Sequence, residues 1–198
     1  ILRGITNGFS TMLPIVMVGA IFTLLSSLNI TAYQNLITSL GLKSLLNIPV
    51  NYTTNMISIY AVFLIAKAEA KAIGMDERDA LNSGIITLMA FLIMIPLGVT
   101  GKDTASGVSV TVAGAINTTF LGSAGLFTAM LLGICIPWIH WIFVKNHVTI
   151  KMPDSVPPVI SKSFEAIIPA IVIAALAIVI RQLFSMTSYG SMTMAIYG

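Results

Sequence analysis

The feature that most constrains this chain is a series of apolar runs, each about as long as a bilayer is thick. Residues 169–180 read PAIVIAALAIVI, and comparable stretches recur along the sequence. A hydrocarbon core of about 30 Å is crossed by roughly 20 helical residues. No water is present there to satisfy the backbone, so an unbroken apolar run of that length folds as a helix. Apolar residues make up 57% of the chain and charged residues 9%, with a mean hydropathy of +0.97, outside the range of soluble domains. The chain reads as an integral protein whose first partner is the lipid bilayer.

Five candidate spans follow, at about residues 4–28, 52–73, 78–99, 124–144 and 158–184. The expected fold class is an all-α membrane protein of about five transmembrane helices, with a short interfacial helix and small β-hairpins in its loops. Pro14 falls inside the first span and Pro169 inside the fifth, as membrane helices tolerate. Between the first two spans, Leu36, Ile37, Leu40, Leu45 and Leu46 would line one face of a helix lying at the interface. The second span has a purely apolar centre only at ISIYAVFLIA, flanked by NYTTN and by Lys67, Glu69 and Lys71. Those three charges would line a substrate exit or, as simply, mark a helix end meeting headgroups. The span is too polar at both ends to face lipid throughout and is expected to pack against protein or border a wet cavity. Gly74 followed by MDERD signals a stop and a restart, with Asp76 capping the next helix. Residues 100–120 alternate apolar and polar side chains and predict a hairpin turning at Gly114. HVTIKM, residues 147–152, predicts a second short strand, stopped by Pro153, Pro157 and Pro158. Asp154 or Ser155 is expected to cap the last span. Gly4, Gly8, Gly19 and Ala20 would allow close helix contact, and Trp138 and Trp141 suit an interfacial belt.

Charge sets the expected orientation, because loops rich in Lys and Arg stay cytoplasmic. With the N-terminus inside, Arg3, Lys67, Lys71, Arg78, Lys145, Lys151 and Lys162 are cytoplasmic, seven against the three of Lys43, Lys102 and Arg181. The net charge of +3 comes from ten basic and seven acidic residues, too few and too scattered for a nucleic-acid surface. The lone Cys135 reads as a small buried core residue. The start at Ile1 and the stop at Gly198 suggest a piece of a longer protein.

The segment MPDSVPPVISKSFEAIIP, residues 152–169, reads as a rigid, charged re-entry into the membrane. It also carries a resemblance. Met152, Pro153, Ser155, Val156, Pro157 and Pro158, followed by Phe164 and Pro169, are similar to a motif of the membrane component, enzyme IIC, of the lactose/cellobiose/chitobiose family of the phosphoenolpyruvate-dependent sugar phosphotransferase system. RGITNGFSTMLPIVMVGAIF resembles that family's first span, and GSAGLFTAMLLG the entry to its fourth. The resemblance implies that residues 1–198 are the scaffold and dimerisation domain of a homodimeric permease in the bacterial cell membrane, its N-terminus cytoplasmic by the charge count above. It implies a disaccharide as substrate and phosphorylated enzyme IIB as the cytoplasmic partner. The transport domain, with the family's sugar-binding histidine and glutamate, would lie beyond this stretch, so these residues alone are expected neither to bind sugar tightly nor to catalyse transfer.

No cofactor and no metal are expected, and no catalytic residue is assigned. His140 and His147 would share a helical face, but no carboxylate or cysteine stands at ligand spacing, so both read as structural. Gly101-Lys102-Asp103-Thr104 lacks the glycines of a phosphate loop. Two other classes remain as alternatives. A self-contained channel or carrier would require charges inside the spans, and the span centres offer none. A membrane enzyme would require a nucleophile and base at one depth, which no span provides.

Overall fold

The computed structural model describes residues 2–102, 109–148, 150, 153 and 157–197. Helix α1 (Leu2–Ser27) is followed by two short helices, α2 (Thr31–Ser39) and α3 (Leu42–Tyr52). A 3-10 turn, Thr54–Met56, leads into α4 (Ile57–Ala72), and α5 (Glu77–Met94) returns antiparallel to it. Strands β1 (Leu97–Lys102) and β2 (Ser109–Ile116) form an antiparallel hairpin. A second 3-10 turn, Thr118–Leu121, precedes α6 (Ser123–Lys145), and α7 (Pro158–Glu165), α8 (Ile167–Ser185) and α9 (Met192–Tyr197) complete the order.

Helix α4 is the centre of the bundle, packed against α1, α5 and α6. Its buried stripe is Ser58, Ala61, Val62, Ile65, Ala66, Glu69 and Ala70, a helical spacing wide enough to meet neighbours on several sides. Toward α1 the contact is built on absent side chains. Gly4 and Gly8 are buried there, and a Cβ at Gly8 would stand 2.7 Å from the Ile65 Cα, while the buried Gly19 meets Thr53 and Thr54 ahead of α4. With no water to drive helices together in lipid, such close backbone approach is what holds them. Ala20, expected on the same face, is exposed instead. The main core joins Val62, Phe91, Ile136 and Ile173 from α4, α5, α6 and α8.

Among the described residues, four helical runs are long and apolar enough to cross a membrane: Leu2–Ser27, Leu42–Ala72, Ser123–Lys145 and Ile167–Ser185. The third expected span, α5, stops at Met94, short of residue 99, because Ile95 precedes Pro96 and is extended (φ −78°, ψ 127°). It buries Asp79, Ser83 and Thr87 against protein while Ile85 and Leu92 face outward, and its charged first turn makes it less apolar than its neighbours. The fifth expected span is broken at Ala166, which closes α7 and opens α8. The break lies just after Glu165, whose carbonyl the ring of Pro169 would crowd in a continuous helix.

The loops depart further from expectation. The segment expected to lie as one helix at the interface is two, bent at Gly41 (φ 67°). Leu36, Leu40 and Leu45 point outward, while Ile37 is buried. The hairpin exists, but Gly114 is not its turn. Gly114 (φ 78°) and Gly98 (φ 105°) sit where the register shifts between the Leu97–Ile116 and Val99–Val112 pairs, which makes a bulge. His147, Val148 and Ile150 are not in a strand, and the other residues of that expected strand, Thr149, Lys151 and Met152, lie outside the described residues. The stop and restart stand as read: Gly74 is left-handed (φ 94°), and the Asp79 N–H donates to Asp76 Oδ1 at 2.8 Å.

Candidate functional site

The helices alternate in direction, so the start of α1, the end of α4, the start of α5 and the end of α6 meet at one end of the bundle, and most of the described charge gathers there. Lys67 and Lys71 lie four residues apart on one face of α4, and both meet Glu77 at the start of α5. Lys67 Nζ is 2.8 Å from Glu77 Oε1, and Lys71 pairs with Oε2. The ammoniums of Lys67 and then Lys71, hydrogen-bonded to it, hold the Glu77 carboxyl well below its usual range, at about 2. Beside them a groove of about 460 Å³ opens between α1 and α5, lined by Asn7, Thr11, Phe63, Lys67, Lys71 and Leu81.

Glu69 behaves differently from the two lysines. It does not meet headgroups but is fully buried in the bundle, and the Trp138 Nε1–H on α6 donates to its Oε1 at 3.0 Å. Gly4 of α1 lies against the same carboxylate, where any Cβ would collide with it. A buried carboxylate is tolerated when it accepts such bonds. Trp138 is 42% exposed, so its ring faces outward while its N–H reaches in. It meets Trp141 edge to face at 6.0 Å, and Lys145 Nζ stands 4.6 Å from the Trp141 ring centre. His140 is buried on the inner face of α6, whereas His147 follows the helix end in a left-handed conformation (φ 52°) and is exposed. The two histidines share no face. Among the described residues no group of three or more His, Cys, Asp and Glu could hold a metal ion.

Of the motif residues, Met152, Ser155 and Val156 lie outside the described residues, as does Asp154. Pro153 is exposed in irregular chain. Pro157 occupies the N-cap of α7, with Pro158 as its first helical residue, a place where a missing N–H costs nothing. Phe164 is exposed on α7, and Ser161 Oγ donates to Glu165 Oε1 at 3.2 Å. Pro169 is buried in α8. The described part of the motif, from Pro157 on, therefore forms a proline-stiffened entry to α8. Cys135, expected in the core, is exposed on α6 and borders an apolar groove of about 250 Å³ with Ile173 and Leu176 of α8.

Two tertiary locks escaped sequence reasoning. One is the Trp138–Glu69 bond, and the other is Arg181, whose Nη1 donates to the Ile93 carbonyl at 2.8 Å and so ties α8 to the end of α5. A signal for the first existed. Glu69 stands four residues after Ile65 and seven after Val62, on the inward stripe, while Lys67 and Lys71 follow the outward Phe63.

The relatives give this architecture a family. The Phosphotransferase system, EIIC family matches residues 6–198. YwbA of Bacillus subtilis (strain 168), described as a permease IIC component, is 35% identical over 96% of this chain and 43% of its own length. The PTS system cellobiose-specific EIIC component of Geobacillus stearothermophilus is 30% identical over 96% of this chain and 42% of its own. The crystal structure of the transporter ChbC, the IIC component from the N,N'-diacetylchitobiose-specific phosphotransferase system, superposes with a TM-score of 0.88 at 33% identity, over 98% of this chain and 45% of that one. The chain thus spans less than half the length of these relatives, and with a membrane-helix bundle of this shape and a family match along nearly all of it, the chain belongs to the phosphotransferase system EIIC family.

Proposed function

We propose that this chain is the N-terminal scaffold half of a sugar permease that imports a disaccharide of the cellobiose, chitobiose or lactose type while phosphorylated EIIB phosphorylates it. The observation that carries this reading is the superposition on ChbC along 98% of the chain. In the full-length protein the second half would hold the sugar and move against this bundle, and two scaffolds would associate as a homodimer in the bacterial cell membrane. The closely packed core around α4 supports a rigid role for this half. The gathering of Arg3, Lys67, Lys71 and Lys145 at one end of the alternating helices supports a cytoplasmic N-terminus.

The test is phosphoenolpyruvate-dependent uptake of labelled cellobiose, N,N'-diacetylchitobiose and lactose by cells that express the full-length protein, with and without its EIIB. Accumulation of one phosphorylated disaccharide only when EIIB is present is the expected result. Accumulation of unmodified sugar without EIIB would overturn the coupling and favour a self-contained carrier.

A further inference from the structure

The groove between α1 and α5 has a polarity gradient that matches one class of molecule. One wall is apolar, made by Phe63, Leu64 and Leu81, all half-buried. Its end nearest the bundle terminus carries Lys67 and Lys71 on α4 and Asn7 on α1. Arg3 precedes Asn7 by four residues and Thr11 follows it by four, so cation, amide and hydroxyl form one stripe along α1. Among the described ion pairs both lysines meet the same carboxylate, Glu77, so within this trio two positive charges face one negative. Lys67 is 30% exposed and Lys71 52%, so both ammoniums can exchange partners at the groove mouth.

We propose that this groove is a binding site for an anionic phospholipid, with the phosphate between Lys67 and Lys71 and one acyl chain along Phe63, Leu64 and Leu81. Charge complementarity favours an anionic headgroup over a zwitterionic one, and basic pockets between membrane helices are suited to such headgroups. The apolar wall favours a lipid over a free anion. Glu77 acts as the built-in competitor, occupying the ammoniums when no lipid is bound.

The experiment uses the full-length protein in mild detergent, with lipid retention read by native mass spectrometry and stability by melting midpoint. Phosphatidylglycerol is the probe, with phosphatidylcholine and inorganic phosphate as comparisons. Phosphatidylglycerol should be retained and should raise the midpoint, and the other two should not. Lys67→Gln and Lys71→Gln should each lower retention about fivefold, whereas Lys145→Gln, on the far helix, should leave it unchanged. Glu77→Gln should raise retention, a gain that still decides the matter if the lysine variants fold poorly. Equal retention of phosphatidylcholine, an equal midpoint rise with inorganic phosphate, equal loss in Lys145→Gln, or no gain in Glu77→Gln would each overturn the proposal.

Discussion

Replacing Gly8 by alanine should loosen the bundle even though alanine is the better helix former. In an unconstrained helix interior the change adds about 0.5–1 kcal/mol of stability. Here the new Cβ would lie 2.7 Å from the Cα and Cγ1 of Ile65 and 2.9 Å from its N. Ordinary carbon contacts are about 3.5–4.0 Å, so α1 and α4 would have to part by about 1 Å. Overpacking of a closed core costs about 1–3 kcal/mol. Two of the three nearest atoms are backbone and cannot rotate away, which places the cost in the upper part of that range. The net loss should be about 1–2 kcal/mol, read as a lowered melting midpoint of the full-length protein in detergent. Trimming Ile65 to valine leaves its Cα and N in place and should not rescue the variant. Ala20→Leu, on the exposed side of α1, should stay within about 0.5 kcal/mol of wild type. A Gly8→Ala protein as stable as wild type would refute the claim that the glycine stripe sets the spacing of α1 and α4.

Trp138→Phe keeps most of the ring but removes the donor to Glu69, and should cost about 1–3 kcal/mol by the same melting assay. Arg181→Met removes the charged donor to the Ile93 carbonyl, at a cost of about 1.5–3 kcal/mol, and hydrogen exchange should rise at the end of α5 before it rises elsewhere. The pairing of Glu77 adds a pH dependence whose sign is fixed. The folded protein lowers this carboxyl from 4.5 to about 2, so its contribution is complete above pH 4.5 and is lost as the pH falls toward 2. Glu77→Gln should remove that part of the acid dependence, lowering stability near pH 7 while leaving the curve flatter toward low pH, as acid titration of the two proteins would reveal.

Sequence pattern carries far where the interaction is local. The end of α4 at Gly74 and the start of α5 at Asp76 were legible because glycine geometry and a side-chain cap act within a few residues. The apolar runs announced α1, α6 and α8 because lipid leaves the backbone no alternative to helix. The hairpin was legible as alternation, but its turn was not, since two glycines allow the strands to bulge and shift register. Glu69 was misread for a different reason. Its neighbours Lys67 and Lys71 made the stretch look like a solvated helix end, and its partner lies 69 residues away. Cys135 was misplaced because α6 is apolar on all sides, so composition alone does not say which side faces protein. The EIIC motif was legible as a resemblance, and its physical role as a stiffened entry to α8 emerges only from the position of Pro157, Pro158 and the break at Ala166.

The separation between Glu69 and Trp138 also bears on synthesis. A ribosome adding about 5–20 residues per second delivers the indole roughly 3–14 s after the carboxylate. During that interval α4 has left the ribosome without the donor that later accompanies its acid. Until α6 arrives, the face of α4 that Trp138 meets has no indole against it. The bond between α4 and α6 is thus completed late, and the order of the genetic message sets the delay.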